Sequence, residues 1–272
     1  VDPEKDARWA EVERRKDADP RTWEVQMEMR EILLEGKPVY QGYVHDLHSP
    51  TGFRDRKIPL IPRSTYIGGW DLGSASVRPA FVLLQITPKP LRQVHLLMEV
   101  TSHQSGGTNA VEFVPAAINA VNSQYPEISM STIPHFGDET GRNRQGVTGK
   151  TSFDIAAESG IAIQPVSNRW GDRRGAVDKL LKERLDEDRQ PPLPLFWVCG
   201  AHCPVIVHGF RGGYRLKQLT EGVNALFGDP VKDHFSDPHD ALQYAAIGAW
   251  LYMDSTPTSA LRRGVTGKKK RR

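Results

Sequence analysis

Three apolar runs follow one another closely in this chain and limit its fold more than any other feature. They are TYIGGWD at 65–71, PAFVLLQIT at 79–87 and QVHLLMEV at 93–100. Each is too short for a typical helix, and the first two are rich in β-branched and aromatic residues, so each reads as a buried strand. Only short turns separate them, which allows an antiparallel meander and leaves no room for crossover helices. Downstream the pattern changes. Helices are expected at 109–123, 151–159, 172–187 (with Asp172 as its N-cap) and 238–252, alternating with strands at 130–136, 161–166 and 195–199. A meander followed by alternating strands and helices predicts an α/β fold. Its sheet is mixed, a three-strand antiparallel meander extended by parallel strands and flanked by helices.

Ahead of this body, residues 3–35 read as helical, with Gly36 and Pro38 as stop signals. The net charge of +3 comes from one end of the chain. The terminal RRGVTGKKKRR (262–272) holds seven Lys/Arg and no acid, so residues 1–261 carry −4. Eleven acids and seven bases in residues 1–36 account for all of that deficit, leaving 37–261 neutral. A basic tail of this kind fits a polyanionic partner, or equally a solubilising or localisation segment. No stretch of 18 apolar residues is present, so no membrane-spanning helix is expected, and the charged start does not read as a signal peptide. The cysteines, Cys199 and Cys203, do not make a disulfide scaffold. The stretch CGAHC, with His202 and His208 near it, lacks the second Cys pair of a closed zinc site and reads as two small packed thiols.

Three aspartates stand at chemically pointed places. Asp71 is a charge inside an apolar strand, between Trp70 and Leu72, which is unfavourable unless the charge is paired or metal-bound. Asp138 ends the fourth strand, and Asp240 lies in the first turn of the last helix. Two adjacent strands and a helix can bring such carboxylates to one point, a hard oxygen set suited to Mg²⁺ or Mn²⁺. Singly, each also fits a structural role: an Arg partner for Asp71, a turn for Asp138, the helix dipole for Asp240.

The segments around these residues resemble a known family. GGWDLGSASVRPAFVLLQ, HFGDETGRNRQG and VKDHFSDPHDALQYAA resemble, in order, the three acidic motifs of the nuclease domain of tailed-bacteriophage terminase large subunits. PLFWVCGAHCPVIVHGFRGGYRLK resembles the segment before the third motif, and DPRTWEVQMEMREILLEGKPVY the end of the motor domain and its connector. The resemblance implies an RNase H-like fold and an endonuclease that cuts concatemeric viral DNA during genome packaging, in the cytoplasm of an infected bacterium. It implies two Mg²⁺ or Mn²⁺ ions, bridged by Asp71 and held individually by Asp138 and Asp240, with Asp237 a further ligand or a helix cap. The loop after Asp71 has Arg78 and no acid, unlike relatives with a fourth carboxylate there. The implied partners are double-stranded DNA, an ATPase motor domain, a portal and a small terminase subunit. The implied organisation is a helical connector from that motor at 1–40, a nuclease domain at 41–255 and a disordered basic tail at 256–272.

An ATP site is not expected in this chain. GVTGKT (146–151) ends like a phosphate-binding loop, but Arg144 stands where its first Gly belongs, and no strand leads directly into it. Contacts to DNA phosphates are expected from Arg142, Arg144, Arg169, Arg173, Arg174 and the tail lysines Lys268, Lys269 and Lys270. Arg173 and Arg174 fit the solvated face of a helix equally well. Trp170 reads as a loop anchor more readily than as a base-stacking ring, and His239 as an exposed residue at a helix start. Two other functions fit the same residues: a resolvase- or transposase-type RNase H-like nuclease, and a non-catalytic DNA or portal docking domain.

Overall fold

A computed structural model of the chain describes residues 37–72, 78–105, 109–142, 149–186, 192–220 and 226–255. The expected helix at 3–35, the tail with Lys268, Lys269 and Lys270, and Arg144 lie outside these residues. The expected meander forms. β1 (Thr65–Asp71), β2 (Ala80–Ile86) and β3 (Val94–Thr101) pair antiparallel. β4 (His135–Asp138) and β5 (Ile163–Val166) add parallel strands beyond β1, and β6 (Phe196–Val198) adds one beyond β3. The six-stranded order is β5-β4-β1-β2-β3-β6. β2 and β3 are buried along their whole length, as strands covered on both faces must be.

Four longer helices clothe this sheet: α1 (Ala110–Gln124), α2 (Ser152–Glu158), α3 (Trp170–Lys182) and α4 (Ser236–Ser255). α4 lies across one face with α3 against it, tied by Trp250 Nε1 donating to the Ala176 carbonyl at 3.0 Å. α1 covers the opposite face, where Phe113 meets Trp70. Period-two alternation sorts β1 between the two helices. Gly68 and Trp70 point to the α1 side, and Trp70 Nε1 donates to His135 Nδ1 at 3.0 Å. Gly69 faces α4, where a Cβ would lie 2.3 Å from the Ala241 carbonyl oxygen. Asp71, two residues on, shares that face. In β4, Phe136 packs on Gly248 of α4, so Asp138 faces α4 as well.

Several sequence expectations change. The fourth strand spans only 135–138, because Met130–Thr132 forms a 3-10 turn. Asp172 does not cap its helix: α3 begins at Trp170 after Arg169, and Asp172 accepts from Ser167 Oγ at 2.8 Å. The same helix stops at Lys182 instead of 187. Glu183 turns extended and its carbonyl accepts the Leu195 amide, leading into a strand pair between Arg184–Asp186 and Leu193–Pro194. Residues 37–40, grouped above with the helical segment, belong to the described body. Lys37–Pro38 pairs with Arg215–Leu216, and Val39 and Tyr40 are buried in the core. Arg215–Gln218 in turn pairs with Phe227–Pro230, completing a small second sheet that the sequence reading missed.

Candidate active site

β1 and β4 run parallel, with Gly68, Gly69 and Trp70 opposite His135, Phe136 and Gly137. One residue further on, Asp71 and Asp138 end the two strands side by side on the α4 face. α4 starts at that end of the sheet, so its first turn brings Asp237 and Asp240 over the strand ends. The result is a cleft of about 430 Å³. Asp71, Asp138, Asp237 and Asp240 all line it, together with Asp233, Ser236, Tyr244, Arg78, Arg173 and Lys232. The structure thus brings together the four acids expected from sequence. Asp71 and Asp240 are almost wholly buried, at 8% and 3% exposure.

Asp240 is engaged by three side chains. Its Oδ1 meets Arg173 Nη1 at 3.1 Å and accepts from the Tyr214 hydroxyl at 3.3 Å, while its Oδ2 accepts from Lys232 Nζ at 2.5 Å. Arg173 Nη1 also donates to the Tyr244 hydroxyl at 3.2 Å, and its guanidinium lies near the Tyr244 and Trp170 rings. Asp138 Oδ1 accepts from the Thr140 amide at 2.9 Å. Burial alone would lower the pKa of the Lys232 ammonium, but Asp240, with Asp71 further off, holds it above its ordinary value. Arg173 is affected in the same way: burial opposes its charge, and Asp240 more than compensates. Burial raises Asp237, and the nearby Asp240 adds to the rise.

With five carboxylates against three cationic side chains, the cleft lining carries a net −2. A deficit of that sign, in an all-oxygen donor set, fits hard divalent cations. Among the described residues no three acidic, histidine or cysteine groups are close enough to share an ion as they stand. Asp240 is instead occupied by its two cations.

The other expected residues are placed as follows. Arg173 reaches into the cleft; Arg174, one position on, points along the helix flank and pairs with Asp178 at 3.4 Å. Arg142 and Arg169 are exposed and outside the cleft lining. Trp170 is partly buried and packs edge-on against Tyr214, which is an anchoring role. His239 is fully buried, not exposed as expected. Its ring stacks on Tyr214 at 4.6 Å, and burial pushes its pKa down to about 3. Cys199 and Cys203 are buried free thiols. Lys150 pairs with Glu158, and Thr151 caps α2 in a capping box with Asp154. The sequence reading missed Lys232 and Asp233 altogether. Their only prior signal was their place at the start of VKDHFSDPHDALQYAA, the segment that resembles the third acidic motif.

No family model and no curated protein matches the sequence. Solved structures do. The nuclease domain of the P22 large terminase superposes with a TM-score of 0.54 and 17% identity, over 80% of this chain and 95% of that one. The large terminase nuclease of thermophilic phage G20c, with bound magnesium, gives 0.47 and 14% over 79% and 98%. Thermus thermophilus RuvC gives 0.36 and 13% over 71% and 98%. The chain therefore has an RNase H-like mixed α/β fold, similar to that of the P22 large terminase nuclease domain.

Proposed function

We propose that this chain is a divalent-metal-dependent DNA endonuclease, which cuts concatemeric viral DNA during packaging with weak sequence preference. The observation that carries the reading is the convergence of Asp71, Asp138, Asp237 and Asp240 on one cleft at the ends of two parallel strands. Asp71, Asp138 and Asp240 would hold the two Mg²⁺ or Mn²⁺ ions, and Asp237 would be a further donor. Bound there, the ions would supply Lewis-acid stabilisation of the attacking and leaving oxygens and a readily ionised water.

The chain's own residues prepare that chemistry. Arg173 and the Tyr214 hydroxyl orient Asp240 through Oδ1, and the Thr140 amide orients Asp138. Arg78, exposed on the cleft lining, is positioned to meet a phosphate. Arg142, exposed four residues after Asp138, and Arg169, exposed just before α3, together with Arg144, Lys268, Lys269 and Lys270, would hold the flanking duplex. Phosphate contacts of this kind fix register without reading sequence. The neutral body implies modest, salt-sensitive affinity. In the infected bacterial cytoplasm the domain would act beside an ATPase motor joined through the segment at 1–36, with a portal and a small terminase subunit as partners.

The test is incubation with supercoiled plasmid and Mn²⁺ or Mg²⁺. The wild-type chain is expected to nick and then linearise the plasmid, and Asp71→Ala and Asp138→Ala to leave it intact. Absence of metal-dependent cleavage, or equal cleavage by the variants, refutes the proposal.

A further inference from the structure

The two cations on Asp240 are held in very different ways. Arg173 is 13% exposed, rises from the first turn of α3 and lies near the Trp170 and Tyr244 rings. Lys232 is 66% exposed and comes from the segment between the Phe227–Pro230 strand and α4. Its flexible four-carbon stem lets the head leave with little loss of packing. They also use different oxygens: Arg173 and Tyr214 meet Oδ1, and Lys232 meets Oδ2. The first pair fixes the carboxylate's orientation. The ammonium covers the oxygen that remains.

We propose that Lys232 is a displaceable counter-ion that competes with the divalent ion for Oδ2 of Asp240 and so sets the metal affinity of the site. This inference rests on the metal-dependent reading above and extends it to a residue with no role there. An ammonium and a divalent cation repel each other at such range, so one carboxylate oxygen serves one of them at a time. Removing the lysine charge takes the cleft lining from a net −2 to −3 and leaves Oδ2 open to the ion. Arg173, by contrast, need not move, because it acts at the other oxygen. Lys232 is thus a positioning residue whose effect appears in metal binding before any DNA is present.

The experiment is a Mn²⁺ titration of the full chain without DNA at fixed ionic strength, following free Mn²⁺ by electron paramagnetic resonance. Wild type, Lys232→Gln, Lys232→Arg and Asp240→Asn are compared, each checked for folding by circular dichroism. Lys232→Gln is expected to bind Mn²⁺ about tenfold more tightly, equivalent to about 1.4 kcal/mol. Lys232→Arg, which keeps the charge, should stay near wild type, and Asp240→Asn should lose the site. If wild type binds Mn²⁺ through Asp240 but Lys232→Gln binds no more tightly, the competition is refuted and the nuclease reading stands. The same holds if Lys232→Arg tightens binding as much as Lys232→Gln does. If wild type binds no Mn²⁺ at all, both proposals fall.

Discussion

Gly69→Ala should separate the two halves of the acidic cleft. Gly69 is buried in the middle of β1, on the face that carries Asp71. A Cβ built there lies 2.3 Å from the Ala241 carbonyl oxygen and 2.6 Å from the Ala245 Cβ, both on α4. Ordinary contact begins near 3.4 Å, so about 1.1 Å must be opened between strand and helix. Neither obstacle is a flexible side chain that can rotate away, so the helix itself has to shift. Overpacking of this kind costs about 1–3 kcal/mol, and the rigid neighbours put this site near 3. The backbone-entropy gain of Gly→Ala returns about 0.5–1 kcal/mol, leaving a net loss of about 2–2.5. For a chain of this size that lowers Tm by about 4–10 °C. The same shift lifts Asp237 and Asp240 away from Asp71 and Asp138, so Mn²⁺ binding should weaken together with stability. Thermal melts by circular dichroism, paired with Mn²⁺ titration, read both effects. Gly175→Ala is the control, since nothing lies within 4 Å of its Cβ in α3 and helix propensity favours Ala there. A Gly69→Ala melting midpoint at or above wild type would refute the close strand–helix seam on which the site geometry rests.

Other perturbations have equally definite outcomes. Arg173→Ala removes the fixed partner of a buried carboxylate that keeps Lys232 and the Tyr214 hydroxyl, and should lower stability by about 1.5–3 kcal/mol in urea unfolding; an unchanged midpoint would contradict the pairing. Glu99 is buried in β3 and accepts the Val205 and Ile206 amides at 2.7 and 2.8 Å. Burial nonetheless pushes its pKa from 4.5 to about 8. Across that window the folded chain keeps a proton that the unfolded chain has lost, so this group makes stability fall as pH rises, by up to about 1.4 kcal/mol per pH unit. Urea midpoints of Glu99→Gln should fall less steeply with pH than those of wild type. His135, whose Nε2 bonds the Met130 carbonyl at 2.7 Å, is held by burial at about 4, below its ordinary 6.5. Its contribution is complete above 6.5 and lost as pH falls through 4, so His135→Asn, although less stable overall, should show a shallower acid slope in the same assay.

The parts of this molecule that could be read from sequence are those whose physics is local. The meander was readable because three short apolar runs with short gaps have few ways to pair. Asp71 was readable because a carboxylate between Trp70 and Leu72 in a strand is anomalous at that position, whatever surrounds it. The groups that answer these acids were not readable, because their meaning lies in the tertiary partner. Arg173 and Arg174 are neighbours in one helical segment, yet they differ by about 100° around the axis. That rotation alone sends one to Asp240 and the other to Asp178. His239 looked exposed because it adjoins a site acid at a helix start, but α4 is buried on nearly all sides in its first turns, and the ring fills a slot between Tyr214, Tyr40 and Phe210. Gly209 leaves the space for it: a Cβ there would lie 2.1 Å from His239 Nε2. Lys232 is the hardest case. In VKDHFSDPHD it is an ordinary loop lysine, and only the turn into α4 brings it back over Asp240, eight residues later. An acid of such a site that ends an apolar strand, as Asp71 does, is therefore conspicuous in sequence because burying its charge is unfavourable. The site's cations, stable in water almost anywhere, become visible only once the fold has set their distances.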